Sequence, residues 1–95
     1  DSYLLRNDGG GAFTKAALAG TSDNTRGIAW GDYDNDGRLD LALSNYAGGN
    51  VRVLHNDGGG AFTVHAQGGT SGNNNGIAWG DYDNDGDLDL AVAVY

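Results

Sequence analysis

The chain lacks cysteine, proline, methionine and glutamate, and it contains only five basic residues. Without cysteine no disulfide can stabilise the fold, and the redox compartment cannot be read from the sequence. Helix surfaces commonly carry glutamate, so acids that are all aspartate, together with 18 glycines, favour strands and turns. The scarcity of basic residues argues against nucleic acid and anionic membranes as partners, since both are bound by basic patches.

Long apolar segments are also missing. No run approaches the roughly 20 residues that span a bilayer, and none has the pattern of a signal peptide. A chain of 95 residues has the size of one small domain, which buries only about two thirds of its unfolded surface. Because the first residue is Asp1 rather than methionine, we expect a processed or excised piece of a longer protein.

What the sequence does contain is an internal repeat of 49 residues that aligns without a gap. About two thirds of the aligned positions are identical. Matching aromatic pairs mark the period: Trp30 and Trp79, Phe13 and Phe62, and Tyr46 and Tyr95. Periods of 20 to 50 residues are typical of solenoids, propellers and arrays, in which each unit buries its faces against a neighbour.

Each repeat has the pattern of four short strands. In the central copy, alternation of large and small residues predicts strands over 27–31, 39–46, 50–55 and 61–66. The Asp57-Gly58 step supplies the positive φ angles that a hairpin between the last two strands requires. Four antiparallel strands with two apolar faces in about 50 residues predict a β-propeller blade, and therefore an all-β fold.

The order of strands predicts how the chain is divided. Residues 1–19 supply the third and fourth strands of a half blade, residues 20–67 form a complete blade, and residues 68–95 supply the first and second strands of another half blade. The two half blades are complementary, and exposed sheet edges promote association. We therefore expect copies of the chain to complete one another's blades, giving a ring as a homotrimer with six blades or a homotetramer with eight.

Two acidic loops, residues 32–40 and 81–89, contain nine of the thirteen aspartates. Such a density of like charge calls for a counter-charge. Side-chain oxygens recur at positions 1, 3, 5 and 9 of each loop with glycine at position 6, which matches the first half of an EF-hand loop; there, position 7 contributes its backbone carbonyl. The candidate ligands are Asp32, Asp34, Asp36, Asp40 and the Arg38 carbonyl in the first loop, and Asp81, Asp83, Asp85, Asp89 and the Asp87 carbonyl in the second.

The oxygen-only ligand set favours calcium, with two ions per chain. Zinc prefers His or Cys, and magnesium prefers an octahedron with several retained waters. The EF-hand glutamate at position 12 is absent, so Asp40 and Asp89 must complete the ligand set. The alternative is that both loops are solvated turns, because Asp, Asn and Gly all favour turns.

These motifs resemble the FG-GAP or VCBS repeat, the blade of the integrin alpha-subunit head and of many secreted bacterial proteins. The resemblance lies in GIAWGDYDNDGRLDLALSNY (27–46), GIAWGDYDNDGDLDLAVAVY (76–95) and the hairpins RNDGGGAFT and HNDGGGAFT. It implies a β-propeller with calcium at the Asp positions named above, an extracellular location, and a role in adhesion, carbohydrate binding or scaffolding. The near-identical copies further suggest an engineered or excised two-repeat piece.

Two functions remain open from the sequence. The first is a calcium-binding structural module that self-assembles and catalyses nothing. The second is a lectin-like, carbohydrate-binding propeller, whose candidate ligand contacts are Tyr33, Tyr46, Tyr82 and Tyr95. Trp30 and Trp79 lie mid-strand, so we expect them in the core between blades. We expect His55 and His65 to be solvated strand residues rather than a general base or a zinc site, and no nucleophile–base pair is visible.

Overall fold

The computed structural model describes all 95 residues as eight strands joined by turns and loops. The strands are β1 (Tyr3–Gly9), β2 (Ala12–Ala17), β3 (Thr25–Gly31), β4 (Asp40–Asn45), β5 (Arg52–Gly58), β6 (Ala61–Ala66), β7 (Asn74–Gly80) and β8 (Asp89–Val94). No helix is present that is long and apolar enough to cross a membrane. The all-β prediction is confirmed.

The eight strands form three separate antiparallel sheets. The first contains β1 and β2, the central one has the order β3-β4-β5-β6, and the third contains β7 and β8. The sheets resemble blades in size and strand order. A single chain does not close into a propeller, because β1 and β8 each pair with only one neighbour.

Several strand boundaries differ from the predicted ones. β3 begins at Thr25, two residues early, and β5 continues to Gly58 through a register shift after Asn56. Leu39 was predicted to begin a strand, yet it lies in the acidic loop and is exposed. Alternation of large and small residues indicates which side chains pack, but the ends of a strand are set by its backbone hydrogen bonds. These can continue through polar residues and can stop before an apolar one.

The hydrophobic core lies in the central sheet around β4, every residue of which is buried. The core cluster is Leu18, Leu41, Leu43 and Leu54, with Leu4, Phe62 and Val64 packed against it. Strand β4 has hydrogen-bonded neighbours on both sides, Leu4 of the first sheet packs against its leucines, and β7 of the third sheet lies close to it. Burial in this chain is therefore concentrated where all three sheets meet.

Strand β7 of the third sheet approaches β3 very closely. A Cβ at Gly27 would lie 3.3 Å from the carbonyl oxygen of Asn75 and 2.6 Å from Oγ of Ser44, so the contact requires a residue without a side chain. Trp79 Nε1 donates a hydrogen bond to the Ala29 carbonyl at 3.2 Å. The expectation that the tryptophans pack between blades thus describes Trp79, whereas Trp30 is 49% exposed in an open groove beside the first sheet.

Candidate metal centre

Each acidic loop folds back on its first aspartate. In the first loop Asp32 accepts hydrogen bonds from the backbone N–H groups of Asp36 (3.2 Å) and Gly37 (2.8 Å). Asn35 and Gly37 both have positive φ, at 59° and 85°, which turns the backbone around the carboxylates. Asn and Gly are the residues that adopt this conformation at least cost, which explains the Asn-Asp-Gly step physically.

The second loop repeats this geometry. Asp81 accepts N–H groups from Asp85 (3.1 Å) and Gly86 (2.9 Å), and Asn84 and Gly86 have φ angles of 59° and 90°. Two loops with the same sequence pattern therefore have the same backbone conformation. Their conformation is encoded within the loop itself, since the two loops have different neighbours.

The four predicted carboxylates of each loop converge. In each group, one oxygen from every residue lies within 4.8 Å of the others: Asp32, Asp34, Asp36 and Asp40 in the first, and Asp81, Asp83, Asp85 and Asp89 in the second. Carboxylate oxygens are hard ligands of the kind that calcium selects. The residues fit a hard divalent cation both in spacing and in donor chemistry.

Asp40 connects the first loop to the sheet. It begins β4, is fully buried, and accepts N–H groups from Tyr33 (Oδ2, 3.2 Å) and Asn56 (Oδ1, 2.8 Å). Its counterpart Asp89 is only half-buried and accepts a single N–H group, from Tyr82 at 3.2 Å. The two loops therefore differ in how firmly the sheet holds their last carboxylate.

Hydrogen bonding favours the ionised form of the first carboxylate in each loop. For Asp32, desolvation alone would raise the pKa, but the N–H groups of Gly37 and Asp36 outweigh it and the pKa is lowered. For Asp81, the N–H group of Gly86 is the main cause of a lowered pKa, opposed by desolvation. Both groups are thus charged, as metal ligands must be.

The residues at position 7, Arg38 and Asp87, share a backbone geometry despite opposite charges. Their N–H groups donate to Asp36 (2.8 Å) and Asp85 (2.9 Å) respectively. The side chain at this position is therefore not needed for the loop conformation. A ligand role for the two carbonyl oxygens stays a prediction.

His55 is the site residue that sequence reasoning missed. It was expected to be solvated, but its Nε2 lies 2.7 Å from Oδ2 of Asp34 and its Nδ1 lies 2.8 Å from Oδ1 of Asp57. Hydrogen bonds to Asp57 and then to Asp34 raise the pKa of His55, although desolvation opposes them. A signal was available, because the repeat places a second basic residue, Arg6, at the same position.

The four tyrosines proposed as ligand contacts do not share one environment. The Tyr33 ring is parallel to that of Trp79, with an interplanar angle of 5° and 6.0 Å between centroids. Tyr46 lies under the guanidinium of Arg26, and Tyr82 and Tyr95 are exposed. A groove of about 530 Å³ between the central and third sheets includes Tyr33 and none of the other three tyrosines.

Comparison with protein families agrees with the motifs. The model of the FG-GAP-like repeat matches residues 1–43 and again residues 41–92. The chain belongs to the FG-GAP-like repeat family. Two FG-GAP-like repeats cover nearly all of it, which confirms the resemblance drawn from the acidic loops and hairpins. Such repeats are typically non-catalytic structural modules. Comparison with curated proteins, and with solved structures, finds no match.

Proposed function

We propose that this chain is a calcium-binding structural module that assembles with copies of itself into a symmetric β-propeller and catalyses no reaction. The observation that carries the proposal is the four-carboxylate loop, which occurs twice with the same backbone conformation and with convergent oxygens. A carboxylate cluster of this kind is costly without a cation, and it recurs in each FG-GAP-like repeat.

Calcium suits these loops because of its coordination demands. It takes 6 to 8 oxygen ligands at 2.3–2.6 Å, and four carboxylates, a backbone carbonyl and water can supply that number. Two ions would lower the formal charge of the chain from −8 to −4. The Arg38 and Asp87 carbonyls are the candidates for the backbone ligand in the first and second loops.

Self-assembly is supported by the unpaired edges of the outer sheets. β8 is paired only with β7, and β1 only with β2, so each outer sheet has two of the four strands of the central one. Large apolar residues on these sheets are exposed, among them Leu5 (57%) and Val94 (65%). Pairing β8 of one chain with β1 of the next would remove both edges and produce a homotrimer of six blades or a homotetramer of eight.

An extracellular location is part of the proposal and is supported by the family resemblance. Extracellular calcium modules bind with dissociation constants near 10⁻⁴–10⁻³ M, which matches the calcium available outside cells. A calcium titration in that range is the corresponding measurement.

The test of the proposal is the solution mass with calcium and with chelator, by native mass spectrometry and light scattering. We expect a trimer or tetramer in calcium that dissociates or loosens on chelation. A monomer under both conditions would contradict the proposed assembly. A mass and a melting curve that do not change on chelation would contradict the proposed role of calcium.

The second candidate function is carbohydrate binding, and the groove between the central and third sheets favours it. Trp79, Tyr33, His65 and Gln67 line this groove, so that aromatic faces and hydrogen-bonding groups occur together. A ring would present the groove several times, and avidity would strengthen weak sugar contacts. A glycan array probed with the assembled protein tests this function, and absence of binding across the array would eliminate it.

A further inference from the structure

We propose that the second acidic loop, residues 81–89, is completed by a second copy of the chain. In this arrangement β1 of the second copy pairs with β8, and the N–H group of its Asn7 donates to Asp89. The inference rests on the self-assembly proposed above. It goes further by naming the residues in contact between the two copies, and it links metal binding at the second loop to assembly.

The two acidic loops differ in how their last aspartate is held within one chain. Asp40 is fully buried and accepts two backbone N–H groups, one from its own loop and one from Asn56 in β5. Asp89 is half-buried and accepts only the one from its own loop. The missing donor is the counterpart of Asn56, because the third sheet has no strand in the place of β5.

The repeat identifies the strand that can supply this donor. β4 pairs with β5 through Leu41 with Leu54, Ala42 with Val53, and Leu43 with Arg52. Moved by the 49-residue period, the same pairs become Leu90 with Leu5, Ala91 with Leu4, and Val92 with Tyr3, between β8 and β1 of a second copy. Continued by one residue, this register places Arg6 opposite Asp89, as His55 lies opposite Asp40. The next residue of β1, Asn7, then has the place of Asn56, whose N–H donates to the Asp40 carboxylate.

Strand β1 already has the conformation that this pairing requires. Its register shifts between Asn7 and Gly9, as that of β5 shifts between Asn56 and Gly58. The Asn7 side chain accepts the Gly9 N–H at 2.8 Å, and the Asn56 side chain accepts the Gly58 N–H at 2.9 Å. The donor strand is therefore pre-organised, and no refolding is needed when it docks.

The same second copy also fits the open face of the third sheet. Within the chain, the indole of Trp79 covers Gly31 and its Nε1 donates to the Ala29 carbonyl. By the 49-residue repeat, the equivalent contact between copies packs Trp30 of the second copy on Gly80 of the first. A Cβ at Gly80 would meet nothing within 4 Å in one chain, and Trp30 is 49% exposed. Gly80 and Trp30 are thus both accessible in the single chain. The same docking that pairs β1 with β8 would bring them into contact.

A cation accompanies the docked strand. Arg6 in β1 stands at the repeat position of His55, and its Nε lies 3.0 Å from Asp8, as His55 Nδ1 lies 2.8 Å from Asp57. Arg6 of the second copy would thus face Asp83, as His55 faces Asp34. The approach of a positive group to the second loop provides charge complementarity for the pairing.

Metal binding at the two loops then depends differently on assembly. The first loop has its whole framework in one chain, whereas Asp89 of the second loop accepts one N–H in its own chain and obtains its second only from a neighbour. We expect equal affinities in the assembled protein and a weaker second site in the isolated chain. By linkage, a cation bound at the second loop favours assembly to the same degree that assembly favours its binding.

The Gly80→Ala variant tests this inference. The added methyl group has free space in the single chain, but against Trp30 of a second copy it would stand where a methyl at Gly31 stands against Trp79, 2.6 Å from the indole. Gly68→Ala is the matched control, since Gly68 is also open and has no positive φ. Native mass, calcium titration calorimetry and tryptophan fluorescence are measured for both variants and for the wild type.

We expect the wild type and Gly68→Ala to be assembled with two calcium sites of equal affinity. Gly80→Ala should be monomeric, with one site unchanged, the other weakened at least about tenfold, and red-shifted Trp30 emission. Dilution of the wild type to the monomer should reproduce this result without any substitution, which excludes a folding defect of the variant as its cause.

The contrary outcomes are distinguishable. A monomeric wild type overturns the inference together with the proposed assembly, and an assembled wild type that binds no calcium overturns it together with the proposed metal role. A Gly80→Ala variant that remains assembled shows that Trp30 does not dock on Gly80. A monomer that keeps two equal calcium sites overturns the completion of the second loop while leaving the proposed function intact.

Discussion

The indole of Trp79 occupies the space that a side chain at Gly31 would need. A methyl group on Gly31 would lie 2.6 Å from Cδ1 of Trp79, closer than real Cβ contacts come. The Trp79 ring is fixed by its hydrogen bond to the Ala29 carbonyl and by the parallel ring of Tyr33. Gly31 is therefore required for packing the third sheet on the central one, rather than for its backbone conformation.

Replacing Gly31 by alanine should consequently destabilise the chain. We expect Gly31→Ala to lower the free energy of unfolding by about 1–3 kcal/mol, the usual cost of forcing an extra group into a packed interface. Urea unfolding followed by tryptophan fluorescence measures this loss. Gly68→Ala, where the methyl group meets open space, should stay within about 0.5 kcal/mol of the wild type. Equal losses for the two variants would mean that Trp79 does not pack on Gly31.

The second prediction separates the charge of the loops from their fold. The double variant Asp36→Asn, Asp85→Asn keeps an oxygen that can accept the N–H groups of Arg38 and Asp87, but removes one negative charge from each loop. We expect it to lose the rise in melting temperature that calcium gives the wild type, while its melting temperature in chelator is unchanged or higher. The reason is that weaker repulsion favours the metal-free loop, whereas a neutral amide is a poorer calcium ligand.

Calorimetric melting with calcium and with chelator makes this comparison. Asp1→Asn is the control, because Asp1 is exposed and outside both loops, and its response to calcium should equal that of the wild type. A double variant that still gains the full stabilisation from calcium would place the cation elsewhere.

The sequence predicted the parts of the fold that are local in origin. The convergence of the Asp residues follows from their spacing and from the Asn-Asp-Gly turn, and both copies of the loop have it. The tryptophans show the limit of such reasoning. Trp30 and Trp79 have nearly identical neighbours in sequence, yet only Trp79 packs on a neighbouring strand, because the two-stranded first sheet beside Trp30 has no counterpart of β3.

The same limit explains the site residue that was missed. His55 is far from the acidic loop in sequence, and only the pairing of β4 with β5 brings it to Asp34. Residue-type patterns report the spacing within a loop, but not which neighbouring strand faces it. The repeat offered the one sequence-level indication, since Arg6 and His55 are both basic at the same position.

The third prediction concerns Asp40 as the link between loop and sheet. Asp40→Ala removes the acceptor of two N–H groups, those of Tyr33 and Asn56, in a fully buried position. Each unsatisfied donor costs about 1–3 kcal/mol, so we expect a loss of several kcal/mol in the free energy of unfolding even in chelator. Asp34→Ala, which removes only a solvent-accessible contact with His55, should cost no more than about 1 kcal/mol. Urea unfolding in chelator measures both, and similar losses would contradict a structural role specific to Asp40.

The fourth prediction is a pH dependence of the metal-free protein that originates at His55. Its pKa is raised above the ordinary value of 6.5, chiefly by the hydrogen bond to Asp57 and then by that to Asp34. A raised pKa means that the folded state binds the proton more tightly than the unfolded state does. The resulting stabilisation is complete below pH 6.5 and is lost as the pH rises through the raised pKa.

His55→Arg is the variant that isolates this effect, because arginine keeps its charge at every pH used and Arg6 already occupies the equivalent repeat position. We expect the melting temperature of the wild type in chelator to fall relative to that of His55→Arg between pH 6 and pH 9. Contributions from groups that both proteins share cancel in the difference. Parallel melting curves over this range would show that the imidazolium of His55 does not stabilise the fold through Asp34 and Asp57, and that its position beside the first loop has no electrostatic consequence in the absence of metal.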